Sequence, residues 1–161
     1  MNATTLGALV LFFFAVGCVS PDRNRHGFEQ WEALGVPLES DEAKIGLATV
    51  EYVSETLLKD ALGVRFVPLT EVDIERVQAN FRHELRPLTK AKFSKKKGIV
   101  DQITGERGVA IIVRRVLIND SAARIEGGFM RTTLYYYDFH LRKVGHEWRV
   151  TDVDPIDIGV F

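Results

Sequence analysis

One stretch, Thr132 to Val153, constrains the fold more than any other. It reads TTLYYYDFHLRKVGHEWRVTDV, two runs of alternating apolar and polar residues that meet at Gly145-His146. That pattern is a β-hairpin of half-buried strands. With Gly145-His146 as the turn, Val144 faces Glu147, Lys143 faces Trp148 and Leu141 faces Val150. Continued at the same register, Phe139 faces Asp152 and Tyr137 faces Asp154. One face then gathers Tyr135, Tyr137, Phe139, Leu141, Trp148 and Val150, enough aromatic area to found a core. The other carries Tyr136, Asp138, His140, Arg142, Arg149 and Thr151 and reads as the wetter side.

A chain of 161 residues is long enough for one domain with a proper core. Its formal net charge of −1 gives no general attraction to nucleic acid or anionic lipid. The charge is segregated, however: Glu39 to Glu75 is mostly acidic and Arg82 to Lys97 mostly basic.

The start is informative in another way. Leu6 to Val16 (LGALVLFFFAV) is apolar, of signal-peptide length and shorter than the roughly 20 residues a spanning helix needs. It ends in Ala15-Val16-Gly17-Cys18, after which the chain turns polar. This junction resembles the lipobox of bacterial lipoproteins, which implies cleavage after Gly17 and acylation of Cys18. Residues 1–5 hold no Lys or Arg, and an ordinary cleaved signal with Cys18 incidental and a retained anchor are the competing readings. Cys18 is the only cysteine, so the folded part can form no internal disulfide. The division expected is a signal peptide at 1–17, a tether and docking segment at 18–40, and one domain at 41–161. In the tether, Phe28, Trp31 and Leu34 are spaced to dock on that domain.

Within the domain, Ser40 is a candidate N-cap for a helix over 41–62, with a stripe of Leu47, Val50, Leu57, Leu58 and Ala61 and a stop at Gly63. Val64 to Leu69 reads as an extended link that Pro68 keeps out of a central strand. Thr70-x-x-Asp73 opens a second helix with Ile74, Val77, Phe81 and Leu85 on one face. Leu88 to Gly98 reads as a basic surface loop. Ile99 to Val113 reads as a hairpin turning at Thr104 to Arg107, and Gly127-Gly128 marks a bulge or bend in the next strand. Two helices followed by four to five antiparallel strands is an α+β pattern with the helices on one face of a curved sheet.

The element order and the ending YYYDFHLRKVGHEWRVTDV resemble the nuclear-transport-factor-2-like (cystatin-like) α+β superfamily. The resemblance implies a cone with a pocket between sheet and helices, lined here by Tyr135, Tyr137, Phe139 and Trp148. That fold serves enzymes, transport factors and secretion-system parts, so it names no activity. Its isomerases and dehydratases suggest Asp152 as a general base, with Tyr135 or Tyr137 donating to a developing oxyanion. The plainer expectation is that Asp152 and Asp154 lie solvated at a strand end. His140 with Asp138 is a second, weaker acid–base pairing.

The four histidines (His26, His83, His140, His146) lack ligand spacing, and Asp152-x-Asp154-x-x-Asp157 lacks the features of a calcium loop, so no metal is expected. No phosphate-binding glycine loop or dinucleotide fingerprint occurs, so no cofactor is expected. The basic residues Arg86, Lys90, Lys92, Lys95, Lys96 and Lys97, with Arg82 and His83 before them, read first as a solvated loop balancing the acidic first helix. As a functional patch they could meet lipid headgroups, a cell-wall polymer or an acidic protein. Phe93 alone is interleaved among the lysines, which argues against single-stranded nucleic acid. The reading that results is a non-enzymatic, exported binding or assembly domain of the bacterial envelope. It would be held on the non-cytoplasmic side of a membrane by a lipid on Cys18. A homodimer through the outer sheet face, at Leu134 and Tyr136, is a possible arrangement. The alternatives are an isomerase-type enzyme and a subunit of a secretion or envelope machine.

Overall fold

The computed structural model describes residues 37 to 159, with side chains up to Ile156. The expected signal peptide, Cys18 and the docking residues Phe28, Trp31 and Leu34 lie outside the described residues.

The first helix, α1 (Asp41–Tyr52), starts where its cap predicts: the Ser40 hydroxyl accepts from the Ala43 N–H at 3.2 Å. It does not run regularly to residue 62. A π-helical turn follows at Val53–Leu57, closed by the Leu58 N–H donating to the Val53 carbonyl at 2.9 Å. Of the expected stripe Val50 and Leu58 are buried, Leu47 and Ala61 are half-buried and Leu57, in the wider turn, is exposed; Ile45, Thr49 and Val53 complete the buried face. The expected link is in fact strand β1 (Val64–Val67), internal to the sheet, with Pro68 just past its end.

The helix α2 (Glu71–Val77) is capped as expected, Thr70 Oγ1 accepting from the Asp73 N–H at 3.1 Å. It ends early, and Leu85 belongs instead to strand β2 (Leu85–Pro87). The chain next forms a small separate hairpin, β3 (Ala91–Ser94) with β4 (Gly98–Asp101), where a basic loop was expected. β4 therefore pairs with β3 and not in a ladder with the strand after it, to which an isolated bridge, Val100 to Arg107, connects it.

Four long strands complete the chain: β5 (Gly108–Asn119), β6 (Ala122–Met130), β7 (Leu134–Val144) and β8 (Glu147–Gly159). The main sheet has six strands in the order β2-β1-β5-β6-β7-β8. It is antiparallel from β5 onward, and β1 runs parallel to both β2 and β5. The fold is α+β, but β1 separates the two helices, so they do not both precede the sheet. Among the described residues no helix is long and apolar enough to cross a membrane.

Gly127 and Gly128 do lie at an irregularity, although the extra residue is on the partner strand: register shifts between Val113 and Arg115. Both glycines are required by close backbone approach. A Cβ on Gly128 would stand 1.9 Å from the Tyr135 carbonyl oxygen, and one on Gly127 2.5 Å from that of Ile112.

Each face of the sheet has its own core. On the α1 side Val67, Val109, Ile111, Ile125, Phe139, Leu141 and Trp148 are buried. On the other, the β3–β4 hairpin and Leu88 cover Val64, Phe66, Ala110, Ile112, Met130 and Leu134. Tyr136 packs into this second core with the Arg114 guanidinium 5.4 Å from its ring centre. Of the two residues expected to offer a dimer surface, Leu134 is buried in this core and Tyr136 is half-buried against it.

Candidate functional site

The last hairpin keeps the expected register only for its first part. Val144 faces Glu147, Lys143 faces Trp148 and Leu141 faces Val150. Then β8 bulges at Thr151, whose hydroxyl donates to the His140 carbonyl at 3.1 Å. Beyond it His140 faces Asp152, Phe139 faces Val153 and Tyr137 faces Pro155, which replaces the expected Phe139–Asp152 and Tyr137–Asp154 pairs. A slip of one residue exchanges the faces. Val153 now packs on the α1-side core, whereas Asp152 is exposed, accepting only from its neighbour's Val153 N–H at 2.9 Å.

Asp152 and the tyrosines are thus not brought together. Asp152 lies by a shallow depression of about 380 Å³ on the opposite face, together with His140 and Asp154. His140 pairs with Asp154 there, Nε2 to Oδ2 at 3.1 Å, and not with Asp138. Asp138 is held instead by Arg124, whose Nε donates to Oδ1 at 3.0 Å. Asp152 and Asp154 are exposed at this strand end, as the plainer expectation has it, whereas the Asp138 carboxylate is mostly covered.

The aromatic residues do form a continuous row on the α1 side. Phe129 stacks on Tyr135 at 5.0 Å and lies 6.1 Å from Tyr137, which in turn is 5.8 Å from Phe139. Tyr52 of α1 meets Phe139 edge-on at 6.3 Å. Phe139 is fully enclosed and lines nothing, whereas Tyr135 and Tyr137 are half-buried. Burial raises the Tyr137 hydroxyl above its ordinary pKa, so it stays protonated.

Two recesses flank this row. The larger is a groove of about 740 Å³ between α1 and β8, floored by Leu47, Ala48, Tyr52, Trp148 and Val150. Its rim carries both signs: Lys44, Arg149, Glu51, Glu55 and Glu147. The smaller, about 400 Å³, lies past the π-helical turn, between Leu57, Leu58, Phe129, Tyr135 and Arg131.

The groove's walls are fixed by a contact absent from sequence reasoning. Asp41, in the first turn of α1, accepts from Lys143 Nζ at 3.0 Å and from the Trp148 indole N–H at 3.2 Å. Lys143 also lies 5.6 Å from the Trp148 ring centre. The Lys143 and Trp148 bonds hold the Asp41 carboxyl below its ordinary pKa. Helix start and hairpin are thereby clamped, and the indole is oriented.

At the other end of the helical run, Arg65 was also unforeseen. It is completely buried on β1 and donates to the carbonyls of Leu58, Ala61 and Gly63 at 3.1, 2.7 and 2.9 Å. A cation satisfying terminal carbonyls suits the negative end of a helix. A lone arginine in VRFV carries no signal of this role.

The expected basic patch is divided. Arg86 donates to Glu84, Asp101 and Glu106 at 2.7, 3.0 and 2.7 Å, and Lys90 pairs with Glu71. Asp101 also accepts from the Ile103 and Thr104 N–H groups at 2.8 Å, bonds that hold it at about 2. Lys92, Lys95, Lys96 and Lys97 remain exposed. No group of three or more His, Cys, Asp or Glu is placed to hold a metal among the described residues.

Compared with protein-family models, curated proteins and solved structures, the chain matches none of them.

Proposed function

We propose that this chain is an exported envelope domain, acylated at Cys18, that acts by binding through the groove between α1 and β8. The observation that carries the binding reading is the composition of that groove. Its floor joins Leu47, Ala48 and Tyr52 to Trp148 and Val150, and the exposed Lys44, Glu51, Glu147 and Arg149 stand on the rim. An apolar floor with polar groups at the edge suits an apolar ligand or an amphipathic peptide segment. The half-buried Tyr135 and Tyr137 extend the apolar surface toward the smaller recess.

Helix α1 lying across the aromatic face of the last hairpin supports reading the domain as an open variant of the nuclear-transport-factor-2-like cone. A catalytic role for Asp152 draws no support from the geometry, since the carboxylate is exposed on the face away from Tyr135 and Tyr137.

The test of the anchor is the intact mass of the protein from membranes of a bacterial host, beside Cys18→Ala. Loss of residues 1–17 with added acyl chains is the expected result. An unmodified soluble protein beginning near Val19 or Pro21 would overturn the lipid anchor.

A further inference from the structure

The basic stretch splits into cations that are engaged and cations that are not. Arg82 faces Glu55 at 3.9 Å, Arg86 holds its carboxylates and Lys90 holds Glu71. The next residues, Ala91 to Gly98 (AKFSKKKG), include no acid. Lys92, Lys95, Lys96 and Lys97 are all exposed, and the ion pairs among the described residues involve none of them.

These lysines stand on a fixed support. The Lys97 N–H donates to the Ser94 carbonyl at 3.2 Å, closing the β3–β4 turn. Gly98, at a φ of 75°, brings the hairpin against the β6–β7 turn, where the Ile99 N–H donates to the Arg131 carbonyl at 2.9 Å. A Cβ on Gly98 would stand 2.6 Å from that carbonyl oxygen, so only glycine allows the approach. Arg131 is itself exposed and adds a cation at this end of the molecule.

We propose that Lys92, Lys95, Lys96 and Lys97, with Arg131 beside them, dock the domain on a membrane surface rich in acidic phospholipid headgroups. The residue type favours that partner. Lysine ammoniums are compact charges that suit a diffuse field of phosphates, whereas arginine forks suit single, planar, bidentate sites. The shape favours it as well, because Lys95, Lys96 and Lys97 are the successive exposed residues of the turn itself, with Lys92 exposed on the strand that leads into it. Each lysine near such a surface raises partitioning about five-fold, so four give a gain on the order of several hundred-fold.

Position is compatible with a shared membrane. Asp41 is clamped at the β7–β8 turn, while Gly98 sits by the β6–β7 turn, the length of β7 away. Its 11 residues measure about 36 Å. The chain from Cys18 to residue 36 can reach at most about 65 Å. The inference leans on the export reading only for which membrane is met.

The test uses the chain from Val19 onward, which lacks both the apolar run Leu6–Val16 and the acylated cysteine, with vesicles of phosphatidylcholine alone or mixed with phosphatidylglycerol. Binding is expected to require phosphatidylglycerol and to weaken steeply with salt. Replacing Lys95, Lys96 and Lys97 together by alanine should cost about a hundred-fold in partitioning, and by arginine little. Equal binding to both vesicles, or no loss in the alanine variant, overturns the proposal. Binding of soluble polyphosphate without vesicle binding overturns it too, by assigning the tip to a free polyanion. Acylation is read separately by mass, so failure of either claim leaves the other standing.

Discussion

The two faces of the main sheet are covered in different ways, and the difference locates the binding surface. Under the β3–β4 hairpin, Phe66, Ala110, Ile112 and Leu134 are sealed by Leu88, Ala91 and Ile99. Across the sheet, α1 covers Ile111, Phe139 and Leu141 but leaves Tyr135, Tyr137, Val150 and Val153 half-buried. A sealed face contributes stability. A face that keeps an aromatic row half in solvent beside a groove has apolar area still to be covered, which a ligand can supply.

Truncation should expose that contrast most strongly. Phe66→Ala on the sealed face is expected to cost about 4 kcal/mol, the range of an aromatic removed from a full core. Tyr135→Ala on the open face should cost about 1 kcal/mol, because part of the ring is already hydrated. Urea unfolding of both variants decides; equal costs would mean the faces are packed alike.

Next in size is the buried cation. Arg65→Met should lose about 3 kcal/mol in the same unfolding experiment, since the carbonyls of Leu58 at the helix end and of Ala61 and Gly63 in the loop after it lose the guanidinium. Arg65→Lys should recover only part of that, one ammonium being unable to reproduce the guanidinium fork. Full recovery by lysine would show that charge alone matters there.

Asp101 gives a smaller and pH-dependent effect. Its pKa is depressed from 3.8 to about 2, chiefly by the Thr104 and Ile103 N–H groups and Arg86. A depressed acid contributes stability that is complete above its unfolded value and disappears as pH falls through the folded one. Stability should therefore drop between about pH 4 and pH 2. Asp101→Asn should be weaker than wild type by about 2 kcal/mol at neutral pH and should flatten that acid limb. An unchanged limb in the variant would place the acid sensitivity elsewhere.

How much of this was legible in the sequence follows from the range of each interaction. Ser40 and Thr70 announced both helix starts because a cap is a bond between near neighbours. The Gly145 turn fixed the first hairpin pairs for the same reason. The bulge at Thr151 was hidden, since one hydroxyl bond across strands leaves the alternating pattern unchanged in appearance. That slip removed Asp152 from the aromatic face. The π-helical turn likewise turned Leu57 out of the buried face without any compositional mark. The β3–β4 hairpin was obscured because its lysines read as a loop, while its core contacts, Ala91 and Ile99, are too few to set a period. Arg65 and the Asp41 clamp depend on partners brought together only by the fold.

The most direct test of the binding claim is titration with an apolar fluorescent fatty acid, dansyl-undecanoic acid, read by energy transfer from Trp148 in a Trp31→Phe background. Leu47→Glu puts a charge on the groove floor and, at a half-buried side chain packed against the core, should cost about 1 kcal/mol, too little to unfold the domain. Ile103→Glu, at a side chain that is 84% exposed and outside the groove, serves as the control. Saturable transfer that Leu47→Glu abolishes and Ile103→Glu leaves intact is the predicted result. Binding that survives Leu47→Glu, or falls equally in both variants, would contradict the assignment of the groove.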